Sequence, residues 1–426
     1  MKKKFISLCF LTLLLITAIS PTSYATAAPE ISAKIYLVMV PETGQIVLSQ
    51  NAEENFEAAE LITVFSLLTI INNADPEQEI TVPENLPLPN NSLQLKPGEV
   101  YTVADLVEMT ALNSSVQSLY TLAVSLYGSE EAFLAEVKND LASIGCSHTN
   151  INSLNYKDEQ NLTTASDLAL AAREYAKNEL LSGTFKTVYK EYCSRGDGAT
   201  PFAVYSTNSL VSNYRHSSYL YRYAYGIKEA YCAAENENHV VTYLKNGSKE
   251  LILILARAKQ SDTEITAYTD VQKMGNYLFE QFSTRTLISE DEPVTEYIID
   301  NAPKGTHIIL KALESKSAFL SIAVSEEEID KKVTCQDSIR APIKKGDVLG
   351  EVSFYFRGNL LSSTPLYSDR TIEYHPTVSG AGVAFRILTH PVTIVAILGF
   401  IIIFILLFLR QIELSRKKAK KKGKNR

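Results

Sequence analysis

Between Leu61 and Ile71 the chain is apolar on nearly every side, within the stretch Ala58-Ala-Glu-Leu-Ile-Thr-Val-Phe-Ser-Leu-Leu-Thr-Ile-Ile-Asn-Asn73. A half-exposed helix would show a stripe and a half-exposed strand an alternation, so this run predicts a helix buried in the middle of a domain. Its length favours helix over strand, Glu60 suits the positive N-terminal end, and Asn72-Asn73 ahead of Pro76 make a stop. The chain up to about residue 280 is expected to pack around it.

With 426 residues the chain exceeds one ordinary core, and two folded units with appendages are expected at roughly 150 residues per domain. Met1-Lys-Lys-Lys4, an apolar run from Phe5 to Ile19 and the small residues Ala25-Thr-Ala27 read as a secretory signal peptide over residues 1–28, with an uncleaved anchor as the alternative. Pro391 to Leu409 holds no charge, and nine Lys or Arg follow between Arg410 and Arg426. That pattern predicts a spanning helix (391–409) with a basic cytoplasmic tail (410–426), the bulk of the chain lying outside the cell membrane.

The leader carries three Lys, and the tail nine bases and one acid. Removing +3 and +8 from the formal −7 leaves −18 on the exported part, a surface that does not seek nucleic acid. Cys9 falls in the leader, leaving Cys146, Cys193, Cys232 and Cys335, without a C-x-x-C pair. Six scattered His add no ligand spacing, so no metal or cofactor site is legible and free buried thiols are expected.

Lys34 to Val40 and Gln45 to Ser49 flank Pro41-Glu-Thr-Gly44 and read as a hairpin. Thr102-Val-Ala-Asp105 resembles a capping box opening a helix to Leu112; Val116–Leu126, Ser129–Ile144 and a helix capped by Thr164 follow. Alternation returns at His239–Leu244 and Glu250–Arg257 around Asn246-Gly247, and Asp270–Phe282 has one apolar face. The first domain (29–284) is therefore α+β, an antiparallel sheet with a helical block. Residues 285–376 read as a small all-β sandwich with strands at Glu296–Asp300, His307–Leu310, Leu320–Val324 and Leu349–Phe356, and 377–390 as a linker. Tyr214, Tyr219, Tyr221, Tyr223 and Tyr225 suggest a further strand, either a packed sheet edge or a stacking platform for glycan.

Several stretches together resemble the serine-type D-alanyl-D-alanine carboxypeptidases, low-molecular-mass penicillin-binding proteins of the peptidase S11 family. They are Glu42-Thr-Gly44, Pro97 to Leu106, Gly128-Ser-Glu-Glu-Ala-Phe133, Thr163 to Ala169, Thr207-Asn208 and Tyr225-Gly-Ile-Lys228, in order from 34 to 282. Ala341 to Gly350 resembles that family's C-terminal domain. The resemblance implies a β-lactamase/transpeptidase-like fold, and in working members three motifs: Ser-x-x-Lys, Ser-x-Asn and Lys-Thr-Gly.

All three are broken here. The first slot reads Glu60-Leu-Ile-Thr63, without nucleophile or base. The only Ser-x-x-Lys in the chain, Ser415 to Lys418, lies beyond the expected membrane helix. The second reads Ser114-Ser115-Val116, which keeps a hydroxyl and loses the amide. The third reads Lys228-Glu229-Ala230, where an acid replaces the Thr that meets the substrate carboxylate and Ala230 adds a Cβ where Gly admits the backbone. Glu60 and Glu229 would both repel a substrate ending in a carboxylate. An ion pair of Glu60 with Lys228 is expected to replace the lost network, the alternative being that both are solvated.

The reading is an exported, membrane-anchored pseudoenzyme that binds peptidoglycan or acts as a scaffold, with stem peptides or wall-synthesis and sporulation proteins as partners. The alternatives are an active serine-type carboxypeptidase trimming stem peptides through a nucleophile such as Ser66 or Ser114, and a scaffold whose β domain does the binding.

Overall fold

A computed structural model describes residues 28–88, 91, 93–196, 198–261, 263–336, 338–375 and 387–422, with side chains as far as 416. The expected leader, apart from residue 28, and most of the expected linker lie outside them. The chain forms two compact units. One runs to Leu287 and takes in Lys316–Asp330 and Phe354–Ser362; the other holds the rest.

The first unit is organised on a five-stranded antiparallel sheet. Its strands are β1 (Ile35–Met39), β2 (Ile46–Gln50), β3 (Ala224–Cys232), β4 (Glu237–Asn246) and β5 (Lys249–Lys259), in the order β2-β1-β5-β4-β3. Tyr36 pairs with Leu255 and Val241 with Lys228, so the two ends of the segment meet in the middle of the sheet and β3 forms an edge. Successive side chains on a strand face opposite ways. In β5, Ile252, Ile254 and Ala256 enter one core and Leu251, Leu253 and Leu255 the other. Burial on both faces is why β5 reads as an unbroken apolar run.

The first core lies under a helical layer: α1 (Ile62–Asn73), α2 (Val103–Asn113), α3 (Val116–Tyr127), α4 (Glu130–Ser143) and α5 (Ala165–Lys177). Residues 62–70 of α1 are all buried, as its sequence requires. Each fully buried Ile, Leu or Phe there contributes about 1.5–3 kcal/mol. The α-helix begins at Ile62, one residue into the apolar run, because Ala59–Leu61 form a 3₁₀ turn. Thr102 and Asp105 close the expected capping box, each side chain 3.1 Å from the other's backbone N–H. Thr164 caps α5 at 3.2 Å, while Asp167 turns away to accept from His148 N–H and the Thr149 hydroxyl.

The second core is covered by α6 (Thr266–Gln281), which presents Val271, Met274 and Leu278 to the sheet. The expected tyrosine strand is not there. Residues 217–219 form a 3₁₀ turn, and regular structure begins only at Ala224. Tyr219 accepts from Ile265 N–H and Tyr221 donates to Asn276, so these hydroxyls anchor buried rings against α6 instead of forming one stacking face. Tyr214 is exposed and stacks on Tyr205 at 4.3 Å.

The other unit holds most of a second five-stranded sheet: β6 (Pro293–Ile298), β7 (His307–Ala312), β8 (Ile329–Cys335), β9 (Val348–Phe356) and β10 (Asn359–Ser368), ordered β6-β7-β10-β9-β8. The strand expected at Leu320–Val324 lies earlier, at Lys316–Ser321, and β8 and β10 were not anticipated. Pro391–Arg416, within the helix α7 (Pro391–Lys422), is long and apolar enough to cross a membrane.

Candidate functional site

Three segments far apart in sequence converge where the first helical layer meets the edge strand β3. The 3₁₀ turn that opens α1 brings Glu60, the junction of α2 and α3 brings Ser114, Ser115 and Val116, and β3 brings Lys228, Glu229 and Ala230.

Glu60 is half-buried, and its Oε2 accepts from the backbone N–H of Tyr231, at 3.2 Å. A sheet edge offers unpaired backbone donors, and this carboxylate takes one of them. Burial pushes the Glu60 carboxyl pKa up; hydrogen bonds from its own backbone and from Tyr231 oppose that, Glu229 adds to it and Lys228 opposes it. Thr63, one turn on, is wholly buried and spends its hydroxyl on the Glu60 carbonyl at 2.8 Å. That hydroxyl closes the helix start and is not presented to a ligand.

Lys228 is buried at 2% exposure, and its Nζ donates to the Ala111 carbonyl oxygen at 2.8 Å. Burial lowers its pKa, Glu229 and Glu60 raise it, and Arg215 lowers it further. The expected ion pair with Glu60 is not formed: no Glu60–Lys228 contact falls within 4.0 Å. The alternative of two solvated groups fails as well, since Lys228 is interior. The reason is the end of α2, whose terminal carbonyls lack intrahelical partners and attract a cation. Lys228 takes Ala111 O, the Thr207 N–H takes Leu112 O at 3.0 Å, and Asn91 takes Asn113 O at 2.8 Å.

The serines of the second motif are used by the backbone. Ser114 ends α2 in the left-handed region (φ 54°), and Ser115 caps α3 by accepting from Ser118 N–H at 3.2 Å. Val116 packs into the first core, as does Ala230, whose Cβ occupies space the helical layer fills. Glu229 is half-buried and accepts from the hydroxyl of Thr207. Tyr231 N–H, Ala111 O and Arg215 carried no signal in the sequence, because two of them act through backbone atoms and the third only through space.

Chemically, Glu60 brings a carboxylate to the start of α1, and acyl transfer through an ester or thioester needs a hydroxyl or thiol. An acid there would form an anhydride, and no amine is placed to take a proton from it. The three segments thus bring together two half-buried acids and a buried Lys whose amine is already taken by Ala111 O.

Comparison with known proteins agrees with the architecture. The family model described as D-alanyl-D-alanine carboxypeptidase matches residues 22–259, and that of the penicillin-binding protein 5 C-terminal domain matches 282–374. The chain is similar to D-alanyl-D-alanine carboxypeptidase DacF of Bacillus subtilis, 23% identical over 380 residues, which span 85% of this chain and 93% of the relative. It is also similar to DacC of Escherichia coli, 22% identical over 83% of this chain and 88% of that protein. Among solved structures, penicillin binding protein 5 from Haemophilus influenzae superposes with a TM-score of 0.65 at 16% identity, covering 82% of this chain and 99% of that one. At that identity the likeness speaks for the fold.

Proposed function

This chain belongs to the D-alanyl-D-alanine carboxypeptidase family, and from that premise we propose that it is a member which has given up acyl transfer and works by binding at the membrane surface. The observation that carries the reading is the position of Glu60, whose carboxylate stands at the start of α1 and takes the Tyr231 N–H of the edge strand. Lys228, the one basic residue kept from the three motifs, is committed to Ala111. The other serine considered as a nucleophile, Ser66, is fully buried inside α1. The ligand proposed first is a peptidoglycan stem peptide, held without turnover; wall-synthesis or sporulation proteins are the further partners. α7 anchors the chain, with its basic end in the cytoplasm.

The full chain in detergent micelles, incubated with a fluorescent penicillin, is expected to take no covalent label. A labelled serine, located by peptide mapping, would restore the active-carboxypeptidase reading. A stem pentapeptide ending in D-Ala-D-Ala is expected to be retained by immobilised protein with no D-alanine released. Release of D-alanine, or no retention at all, would overturn the binding role.

A further inference from the structure

Beside Glu60 and Lys228, three donors of a different kind meet at one end of the edge strand. Cys232 is the last residue of β3, Glu235 stands in the turn to β4, and Glu57 comes from the short strand Phe56–Glu57 just before α1. One ligand atom from each lies within 4.8 Å of the others. Neither Glu57 nor Glu235 forms an ion pair among the described residues, although their carboxylates lie within 4.8 Å of each other. Like charges held together without a cation normally part or share a proton.

A second observation comes from outside the triad. His239, 1% exposed, accepts the Arg257 backbone N–H at Nδ1, at 3.0 Å. In the neutral ring the proton is then on Nε2, which lies 3.1 Å from Cys232 Sγ. His239 is therefore not a ligand. It is a buried N–H aimed at the sulfur, which it orients as the partners surrounding metal ligands do, while the thiol's own proton points to the Glu57 carbonyl oxygen 3.7 Å away.

We propose that Glu57, Cys232 and Glu235 bind a zinc-class divalent cation, with His239 as a positioning residue donating to the sulfur. Thiolate with two carboxylates suits zinc or cobalt; calcium and magnesium take oxygen donors alone. Three protein ligands leave a fourth tetrahedral position for water. On binding, the Cys232 S–H bond is replaced by a sulfur–metal bond and the proton leaves to solvent. The site is independent of the proposed loss of acyl transfer.

Cobalt(II) added to the full chain in detergent is expected to bind one to one and to produce a thiolate-to-cobalt charge-transfer band. Cys193→Ser, removing an exposed thiol, keeps the band, and Cys232→Ser loses it. Glu57→Gln with Glu235→Gln abolishes stoichiometric binding, while His239→Gln weakens affinity by about 10- to 100-fold with the band retained. Zinc is expected to raise the melting temperature of wild type and Cys193→Ser and not of Cys232→Ser. Absence of the band in wild type at saturating cobalt, or its survival in a folded Cys232→Ser, overturns the site.

Discussion

The Nζ of Lys228 lies 2.8 Å from the carbonyl oxygen of Ala111, in the interior where β3 passes the end of α2. A lysine that a reader of the sequence would pair with Glu60 instead closes a helix. The two roles differ energetically, because a helix terminus offers partial charge and a lone pair without requiring a second buried ion.

Lys228→Met, which preserves much of the volume, leaves Ala111 O without its donor. It is expected to destabilise the protein by about 1–3 kcal/mol in urea unfolding. Combined with Glu60→Gln in a double-mutant cycle, the coupling is expected to stay below about 1 kcal/mol, since the groups do not touch. A coupling of several kcal/mol would reinstate the ion pair.

The pKa of Glu60 is raised in the folded state, mainly by burial, from an ordinary value of 4.5. The folded chain thus holds that proton more tightly than the unfolded chain. The stability this contributes is fully present below about pH 4.5 and is lost as pH rises through the folded value. Glu60→Gln removes the loss. Its melting temperature is expected to match wild type near pH 4 and to exceed it at pH 7, by about 2–4 °C for each kcal/mol regained. A variant less stable than wild type at pH 7 would contradict this.

Restoring the first motif alone is not expected to restore chemistry. In Glu60→Ser/Thr63→Lys, Glu229 still receives the Thr207 hydroxyl and faces the substrate's carboxylate end, and Val116 and Ala230 still sit in the core. The new lysine would enter a fully buried position. The double variant is expected to remain unlabelled by fluorescent penicillin; labelling would show that Glu60 and Thr63 are the whole of the defect.

In the second sheet, Gly350 passes so close to β8 that an added Cβ would lie 2.8 Å from Thr334 O and 2.5 Å from Cys335 Sγ. The carbonyl belongs to a paired strand and has little room to retreat. Gly350→Ala is expected to cost about 1–3 kcal/mol, read as a lowered unfolding midpoint. An unchanged midpoint would mean that β8 shifts freely.

Much of the architecture was legible, because it follows from local rules. The apolar run of α1, the Thr102–Asp105 box, the Ser129 cap and the Asn246-Gly247 turn each act within a few residues. The tyrosine stretch misled because its alternation mimicked a strand while the rings were recruited by α6, some fifty residues later. β8 was missed because Asp330, Lys331 and Lys332 interrupt its apolar pattern; β10 because Ser362-Ser-Thr364 and Pro365 interrupt its own.

By itself the sequence determined which groups stand at the positions read as the three motifs: no serine at 60, no lysine at 63, no asparagine at 116 and no glycine at 230. Chemical identity is a property of the residue and needs no coordinates. What the remaining groups do instead was decided by tertiary structure. Lys228 found Ala111 O, Glu60 found Tyr231 N–H, and Cys232 came to lie between Glu57, Glu235 and His239. Those partners are backbone atoms or side chains brought from distant segments, and hydrogen bonding and ligation depend on distances of a few ångströms that only the folded chain sets.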